Sequence, residues 1–595
     1  MRATMPSITI NGVKADFTPG EMILQVANRL RDQGLGSEIP QYCYHDGLSI
    51  VASCRICLGE AMAPNPKTAQ LEAYMGGKLF PTCQTPAIDG MVVSTDSPKA
   101  VQNQKAVMEF LLINHPLDCP VCDQSGECFL QDYSYEFGRG VSRFEEQKVK
   151  QPKKDIGPHV YLYSDRCIMC TRCVRFTREI TGTGELSVQG RGNKEEIDTF
   201  PGVPLANELS GNVVDVCPVG ALLDKDFLFA QRVWFLKETP SIDGLTAGGD
   251  NISVYANQGQ VYRVKPRANP KVNRWWISDE VRYGWKFVHA ENRLRTPLRR
   301  QFDTLVECDY TRAYDELIEG VRAATKDGKR LAVVVSPMLS CEEAFLLGRL
   351  ARRLDDQALL AVGPIPRSGQ DKVFPPGAQE DSPRAFKVYA EKAPNARGVR
   401  RALEGVLAPS HVATFEAMLD MLKRGNVGAV VLTGNYPSEW ATPDLKAALA
   451  GKFVGVIDTL ASDLLEQANV VIPGATWLEK AGTFENARGM IQAFEQAIPV
   501  IELAKAEGQI ALDVRAVLDG RGAPDEQVVP VVVISTPGQV AAGAQVAAPL
   551  GAMFNAADVR RQMAESSPAL GVFATGVSHG VPEIKQKPDM ELVEI

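Results

Sequence analysis

Eleven of the thirteen cysteines in this 595-residue chain lie between Cys43 and Cys217; two more are Cys308 and Cys341, and none follows. That crowding constrains the first 220 residues more than any other feature. The start, MRATMPSITINGVK, has no apolar run of the secretory type and no Arg- and Ser-rich transit stretch. The expectation is a reducing compartment, in a bacterium or after processing in an organelle. There, clustered cysteines indicate metal or redox chemistry ahead of disulfides.

The spacing sorts them into three sets. The first is Cys43-x10-Cys54-x2-Cys57-x25-Cys83; the second is Cys119-x2-Cys122-x5-Cys128, with His115 four residues upstream. The third is Cys167-x2-Cys170-x2-Cys173 with the remote Cys217, which Pro218 follows. Eleven cysteines and His115 make twelve donors, three times the four that an iron–sulfur cluster requires. Cysteines at i, i+3 and i+6 aim three thiolates at one centre, and a distant Cys-Pro closes the fourth corner, as in bacterial 4Fe–4S ferredoxins. The first set has the separated Cys, close pair and distant Cys of plant-type 2Fe–2S ligation, with a longer first gap. Four-cysteine zinc sites are the alternative for each set, though zinc sites more often use two separated pairs. Taken alone, the second set leaves His115 open as either a ligand or a helix-end histidine; without it, three cysteines lack a fourth partner. His45 is expected beside the first set as a hydrogen-bonding neighbour. Cys308 and Cys341 read as small buried hydrophobes.

Length and patterning divide the rest. A chain of this size holds several domains. Its 45% hydrophobic and 23% charged residues exclude a disordered or fibrous protein. A net charge of −8, from 64 Lys and Arg against 72 Asp and Glu, gives no footprint for nucleic acid. SITINGVKADF alternates about Asn11-Gly12 and predicts a hairpin, followed by a helix in EMILQVANRL, together a β-grasp domain over 1–95. A helix over 100–113 leads into the second set, within a segment spanning 96–140. The third set occupies 141–236. Beyond it, Leu331–Val335, Val427–Leu432, Val454–Asp458 and Val470–Ile472 predict buried strands. Helices between them, such as Ser340–Leu354 with a Ser340/Glu343 capping box, predict an α/β domain with a largely parallel sheet. Gln527 to Ala557 carries no charged side chain, but Pro530, Pro537 and Pro549 fit a linker better than a membrane span. A polar tail is expected after it, so that 528–595 is linker and tail.

The runs CYHDGLSIVASCRICLGE, FLLINHPLDCPVCDQSGEC, RCIMCTRCVRF and LSGNVVDVCPVGAL resemble the large iron–sulfur (75 kDa) subunit family of respiratory complex I, the proton-pumping NADH:quinone oxidoreductase of EC class 7.1.1. The resemblance is dense over residues 7–295 and looser to about 500. It implies an N-terminal α+β part, ferredoxin-like (β-grasp) and iron–sulfur domains, before a large α/β molybdopterin-oxidoreductase-like domain that lacks the molybdenum cofactor. It also implies a 2Fe–2S cluster on Cys43, Cys54, Cys57 and Cys83. One 4Fe–4S cluster would sit on His115, Cys119, Cys122 and Cys128, and another on Cys167, Cys170, Cys173 and Cys217. The implied role is electron relay, from a flavin-bearing NADH-oxidising subunit toward quinone-proximal iron–sulfur subunits. No complete active site, flavin, NAD or molybdopterin is expected on this chain, which would sit peripherally on the cytoplasmic face of the inner membrane, or the matrix side in an organelle.

Two departures stand out. The gap before Cys83 is lengthened around Pro64–Phe80, where a surface loop is expected. In 237–294, where some relatives carry a further 4Fe–4S motif, the matching positions are Asp243, Thr246, Asp250 and Ser278, so that cluster should be absent. Residues 295–527 form the molybdopterin-like domain, whose IPGATWLEKAGTFENARG carries the likeness. Two other classes compete with the relay: a self-contained hydrogenase or formate dehydrogenase, and a zinc-stapled scaffold. The first would need cysteine motifs beyond 217 or a molybdenum ligand; spectra of the reduced chain would separate the second.

Overall fold

The computed structural model describes residues 5–407, 412–520 and 550–579, with the backbone of four two-residue strands between 529 and 546. Two compact units result. The first is built on the chain up to Leu236 together with Phe374–Ala385; the second is built on Lys237–Val373 and the chain from Phe386 onward.

The first unit opens with the predicted hairpin. Ser7–Ile10 runs antiparallel to Val13–Asp16, closed by Asn11 (φ 47°) and Gly12 (φ 82°), the two left-handed residues that a tight hairpin turn demands. Ser7–Ile10 also pairs in parallel with Val92–Ser94, which pairs with Leu58–Pro64. The helix Ile23–Asp32 lays Ile23, Leu24, Val26, Ala27 and Leu30 onto this sheet, where Ile8, Ile10, Phe17, Met91 and Val93 complete the core. The lengthened stretch before Cys83 is not an irregular loop: Leu71–Ala73 folds back on Leu58–Pro64 as an exposed hairpin arm, and a short 3₁₀ turn, Tyr74–Gly77, leads on toward Cys83. The Ser97 hydroxyl accepts from Ala100 N at 3.3 Å and starts the helix Pro98–Leu112, which carries the chain to His115. Around the third set, regular structure is limited to short elements. They are a three-stranded antiparallel sheet (Lys153–Asp155, Val160–Tyr163, Leu222–Asp224), the hairpin Leu186–Gln189/Glu196–Thr199 and the short helical segments Arg172–Arg175, Phe176–Ile180 and Asn212–Val216.

The second unit begins with a three-stranded antiparallel sheet, Lys237–Ile242, Asn251–Asn257 and Gln260–Pro266. Its main layer is an eight-stranded sheet. Val470–Pro473, Phe453–Asp458, Val427–Thr433, Arg330–Val335, Leu359–Val362 and Val412–Ala413 follow in parallel, and Leu298–Gln301 and Thr304–Glu307 add an antiparallel edge. Alternate residues face opposite cores. Leu331, Val333 and Val335 join one with Phe345 and Leu403, while Ala332 and Val334 join another with Phe415 and Leu422. Burial on both faces explains the unbroken apolar runs. The expected capping box is present at the start of Cys341–Leu354: Glu343 N donates to Ser340 Oγ at 3.2 Å, and Ser340 N to Glu343 Oε2 at 3.0 Å.

The expected linker and tail divide. Most of 521–549 and all of 580–595 lie outside the described residues. Within the rest, Ala556–Ser566 is a helix that buries Val559 and Met563 in the α/β core, so this part of the expected tail is a packed element. Among the described residues no helix is long and apolar enough to cross a membrane.

Candidate functional site

In the first set, Cys43 stands within hydrogen-bonding reach of Cys54 and Cys83, and Cys57 within reach of Cys83. The hairpin insertion therefore leaves Cys83 with its set. Cys43, Cys57 and Cys83 are buried and Cys54 is partly exposed. Ala52 (φ 52°) and Arg55 (φ 61°) take left-handed backbone on either side of Cys54, curling the loop about it. The Thr82 hydroxyl donates to Cys57 O at 2.8 Å and ties the C-x2-C loop to the strand before Cys83. His45 is the expected neighbour, its Nδ1 accepting from Gly47 N at 3.0 Å. Burial, with Arg172 and Arg175 nearby, drives its pKa down to about 3.

The third set closes around one cavity, lined by Cys167, Cys170, Cys173 and Cys217 and by apolar neighbours such as Ile168 and Val219. Met169 (φ 54°) and Thr171 (φ 58°) bend the loop left-handed between its cysteines. Met169 N donates to Cys167 Sγ at 3.3 Å, and backbone groups of Val219, Ala221 and Leu222 hydrogen-bond the Cys217 sulfur. The short helix Asn212–Val216 delivers Cys217 from 44 residues away in sequence.

In the second set Cys119 is exposed, Cys122 and Cys128 are buried, and the three lie close enough to influence one another's charge. Arg166 organises this site. Its guanidinium, 2% exposed, donates from Nε and Nη2 to Asp118 Oδ2 at 3.1 and 2.9 Å and stacks on Tyr163 at 4.2 Å. Half-buried His115 shares Arg166 and Asp118 as neighbours. Burial first, then Arg166, lowers its pKa to about 4, so the imidazole is neutral and able to ligate at physiological pH.

Among the described residues, no group of three or more His, Cys, Asp or Glu has the spacing to grip a single metal ion. A cluster of irons and sulfides is wider than one ion, and the thiols of the third set ring a space instead of converging on a point. Burial raises the Cys170 thiol to about 11 and the Cys128 thiol to about 12. Unligated, they stay protonated near neutrality; a bound cluster would displace those protons. Two sets of four soft sulfur donors, and one of three with a neutral imidazole nearby, fit iron–sulfur centres.

The fourth locus has a different chemistry. Asp243 accepts from Leu245 N at 2.8 Å and from Thr246 N at 3.2 Å, and the Thr246 hydroxyl donates to its other oxygen. Burial pushes Asp243 up to about 6; burial and Asp243 together hold Asp250 well above the ordinary carboxylate value. Ser278 is used locally, its hydroxyl accepting from Val281 N at 3.3 Å to cap Asp279–Tyr283. Cys341 is fully buried, 3.4 Å from Asn395 Oδ1, and Cys308 is partly buried.

Arg166, Arg172, Arg175 and Gly220 are absent from the donor arithmetic, although arginines interleaved with cysteines in CIMCTRCVRF are a visible signal.

Three donor sets suited to iron and sulfide thus precede an α/β unit along the chain. Family models match in the same order. They are a 2Fe-2S iron-sulfur cluster binding domain (3–98), the NADH-ubiquinone oxidoreductase-G iron-sulfur binding region (104–143) and the ferredoxin-like domain of NADH-quinone oxidoreductase subunit 3 (157–223). An NDSU1/NuoG-like 4Fe-4S domain (236–286) and molybdopterin oxidoreductase (395–516) follow. More particularly, the chain is similar to the G subunit of the NADH-quinone oxidoreductase of Rickettsia felis, 36% identical over 350 residues, 59% of this chain and 49% of that one. It is 38% identical to the mitochondrial NADH-ubiquinone oxidoreductase 78 kDa subunit of Neurospora crassa, over 59% of this chain and 45% of that one. It is 43% identical to NADH dehydrogenase [ubiquinone] iron-sulfur protein 1 of Solanum tuberosum, over 50% and 38%. The chain thus spans about half the length, or less, of the curated relatives it matches. A crystal structure of an NAD+-reducing [NiFe]-hydrogenase aligns with a TM-score of 0.32 at 25% identity, covering 39% of this chain and 92% of that one.

Proposed function

We propose that this chain is the electron-relay iron–sulfur subunit of a proton-translocating NADH:quinone oxidoreductase. In this reading Cys43, Cys54, Cys57 and Cys83 hold a 2Fe–2S cluster. His115, Cys119, Cys122 and Cys128 hold one 4Fe–4S cluster, and Cys167, Cys170, Cys173 and Cys217 hold another. The observation that carries it is the presence of three separate donor sets within one compact unit. When bound, such clusters supply one-electron transfer. The chain's own residues hold the ligands, exclude water with side chains such as Ile168 and Val219, and place arginines beside the thiols. Hydride chemistry falls to a flavin-bearing partner, and a quinone-proximal iron–sulfur partner receives the electrons. The complex places the chain peripherally, on the cytoplasmic face or the matrix side.

The 236–286 segment carries no cluster in this reading, because two carboxylates and two hydroxyls are hard oxygen donors poorly matched to iron and sulfide. In this reading the α/β unit carries no molybdopterin: its buried Cys341 lies in VVVSPMLSCEEAF, a context with no evident metal-ligating role.

Elemental analysis with paramagnetic resonance of the anaerobically purified, reduced protein tests the reading. We expect about ten irons per chain, one 2Fe–2S and two 4Fe–4S signals, and no molybdenum or tungsten. About fourteen irons would place a cluster in 236–286. Stoichiometric molybdenum would favour a self-contained enzyme, and zinc without iron would favour a stapled scaffold.

A further inference from the structure

Two buried arginines join the first donor set to the third. Arg172 and Arg175 are 4% and 8% exposed. Arg172 donates to Val216 O at 3.4 Å, on the residue before Cys217, and to Tyr44 O, on the residue after Cys43. Arg175 donates to Cys43 O, to Ser49 O, and to Cys170 O at 3.2 Å. Each guanidinium thus grips backbone from both sets. All these acceptors are carbonyls. Neither arginine has an ion-pairing carboxylate among the described residues, and the Nε of each has no hydrogen-bond partner.

A buried cation without a counter-ion is costly. Here the missing negative charge is available nearby, in thiolates that ligation would create. The second set has a different guanidinium, Arg166, neutralised by Asp118.

We propose that Arg172 and Arg175 form a shared cationic bridge that raises the reduction potentials of the first and third clusters together while fixing the spacing between their loops. This rests on the reading that both sets hold clusters. The physical reason is Coulombic. Reduction adds one negative charge to a cluster, and an uncompensated positive charge in a low-dielectric surrounding stabilises the reduced form. Because one pair faces both sets, both potentials move in the same direction. The arginines are positioning residues, not ligands.

The test is a redox titration of the full chain, followed by paramagnetic resonance, in wild type and in Arg172→Gln, Arg175→Gln, Arg172→Lys and Arg175→Lys. Wild type without first- and third-set signals would defeat the relay reading itself. With those signals present, each Gln variant is expected to lower both midpoints, while the second set's midpoint stays in place. Wild-type midpoints in both Gln variants would overturn the bridge. Should a Gln variant fail to hold clusters, the Lys variants decide. Midpoints kept by a retained charge support the bridge; midpoints that fall although the charge is kept overturn it.

Discussion

Cys122 Sγ fills the space that a β-carbon on Gly220 would need, with Gln124 Cβ 3.1 Å from the same point. Gly220 follows Cys217 by three residues, so a cysteine of the second set packs against the segment that carries Cys217 of the third. Arg166 binds across the same contact, its Nη1 3.5 Å from Gly220 O.

Gly220→Ala should therefore displace Cys122. The expected outcome is loss of the 4Fe–4S signal of the second set, about four fewer irons per chain, and an unchanged 2Fe–2S signal. Iron content equal to wild type would show that Cys122 is not a ligand or that the contact yields freely.

His115→Ala should disturb the cluster of Cys119, Cys122 and Cys128 alone. Its neutral imidazole is ready to ligate without first losing a proton at any pH above about 4. Paramagnetic spectra in which all three clusters survive unchanged would remove His115 from the ligand set.

Cys217→Ala should abolish one 4Fe–4S signal and leave the 2Fe–2S signal intact, since its neighbours around the cavity are Cys167, Cys170 and Cys173. If the 2Fe–2S signal vanished instead, the partition into sets would be wrong.

In the α/β unit one cation serves two carboxylates: Lys480 Nζ lies 2.9 Å from Glu343 and 2.5 Å from Glu507, all three buried. Glu343 is held below the ordinary carboxylate value, chiefly by Lys480 acting against burial. Glu507 is pushed up to about 8 by burial, with Glu343 adding to it. The folded chain thus keeps a proton on Glu507 that the unfolded chain releases near 4.5. Its stabilising contribution is complete below that value and is lost as pH rises toward about 8. Thermal unfolding should show a midpoint that falls over this window, and Glu507→Gln should flatten the slope. Lys480→Met, which strands the buried Glu343 carboxylate, should cost about 3–5 kcal/mol near neutral pH.

The donor sets were legible because most of their spacing is local: three cysteines at intervals of three fix one loop, and the sum of donors completes the rest. The parallel sheet was legible because Arg330–Val335 and Val427–Thr433 are buried on both faces and so read as continuous apolar runs. What escaped depends on long-range placement. Arg175 reaches Cys43 O across 132 residues, and nothing local distinguishes Gly220 from a turn glycine. The helix Ala556–Ser566 read as polar tail because Val559 and Met563 stand among polar residues, of which Asp558, Arg561, Gln562 and Glu565 are exposed. The hairpin before Cys83 read as a loop because every side chain of Leu71–Ala73 is exposed, leaving no inward alternation to mark a strand.

The left-handed residues of the ligand loops have a consequence for the life of the protein in a cell. Ala52, Arg55, Met169 and Thr171 carry side chains in a backbone region that favours glycine, at a cost of roughly 1–3 kcal/mol each. Buried thiols without iron offer little to hold such loops, whereas a seated cluster ties them at four points. Iron supply and shape are therefore linked. On the proposed reading, iron-free protein should relax first at these two loops, seen as faster limited proteolysis there than in iron-loaded protein.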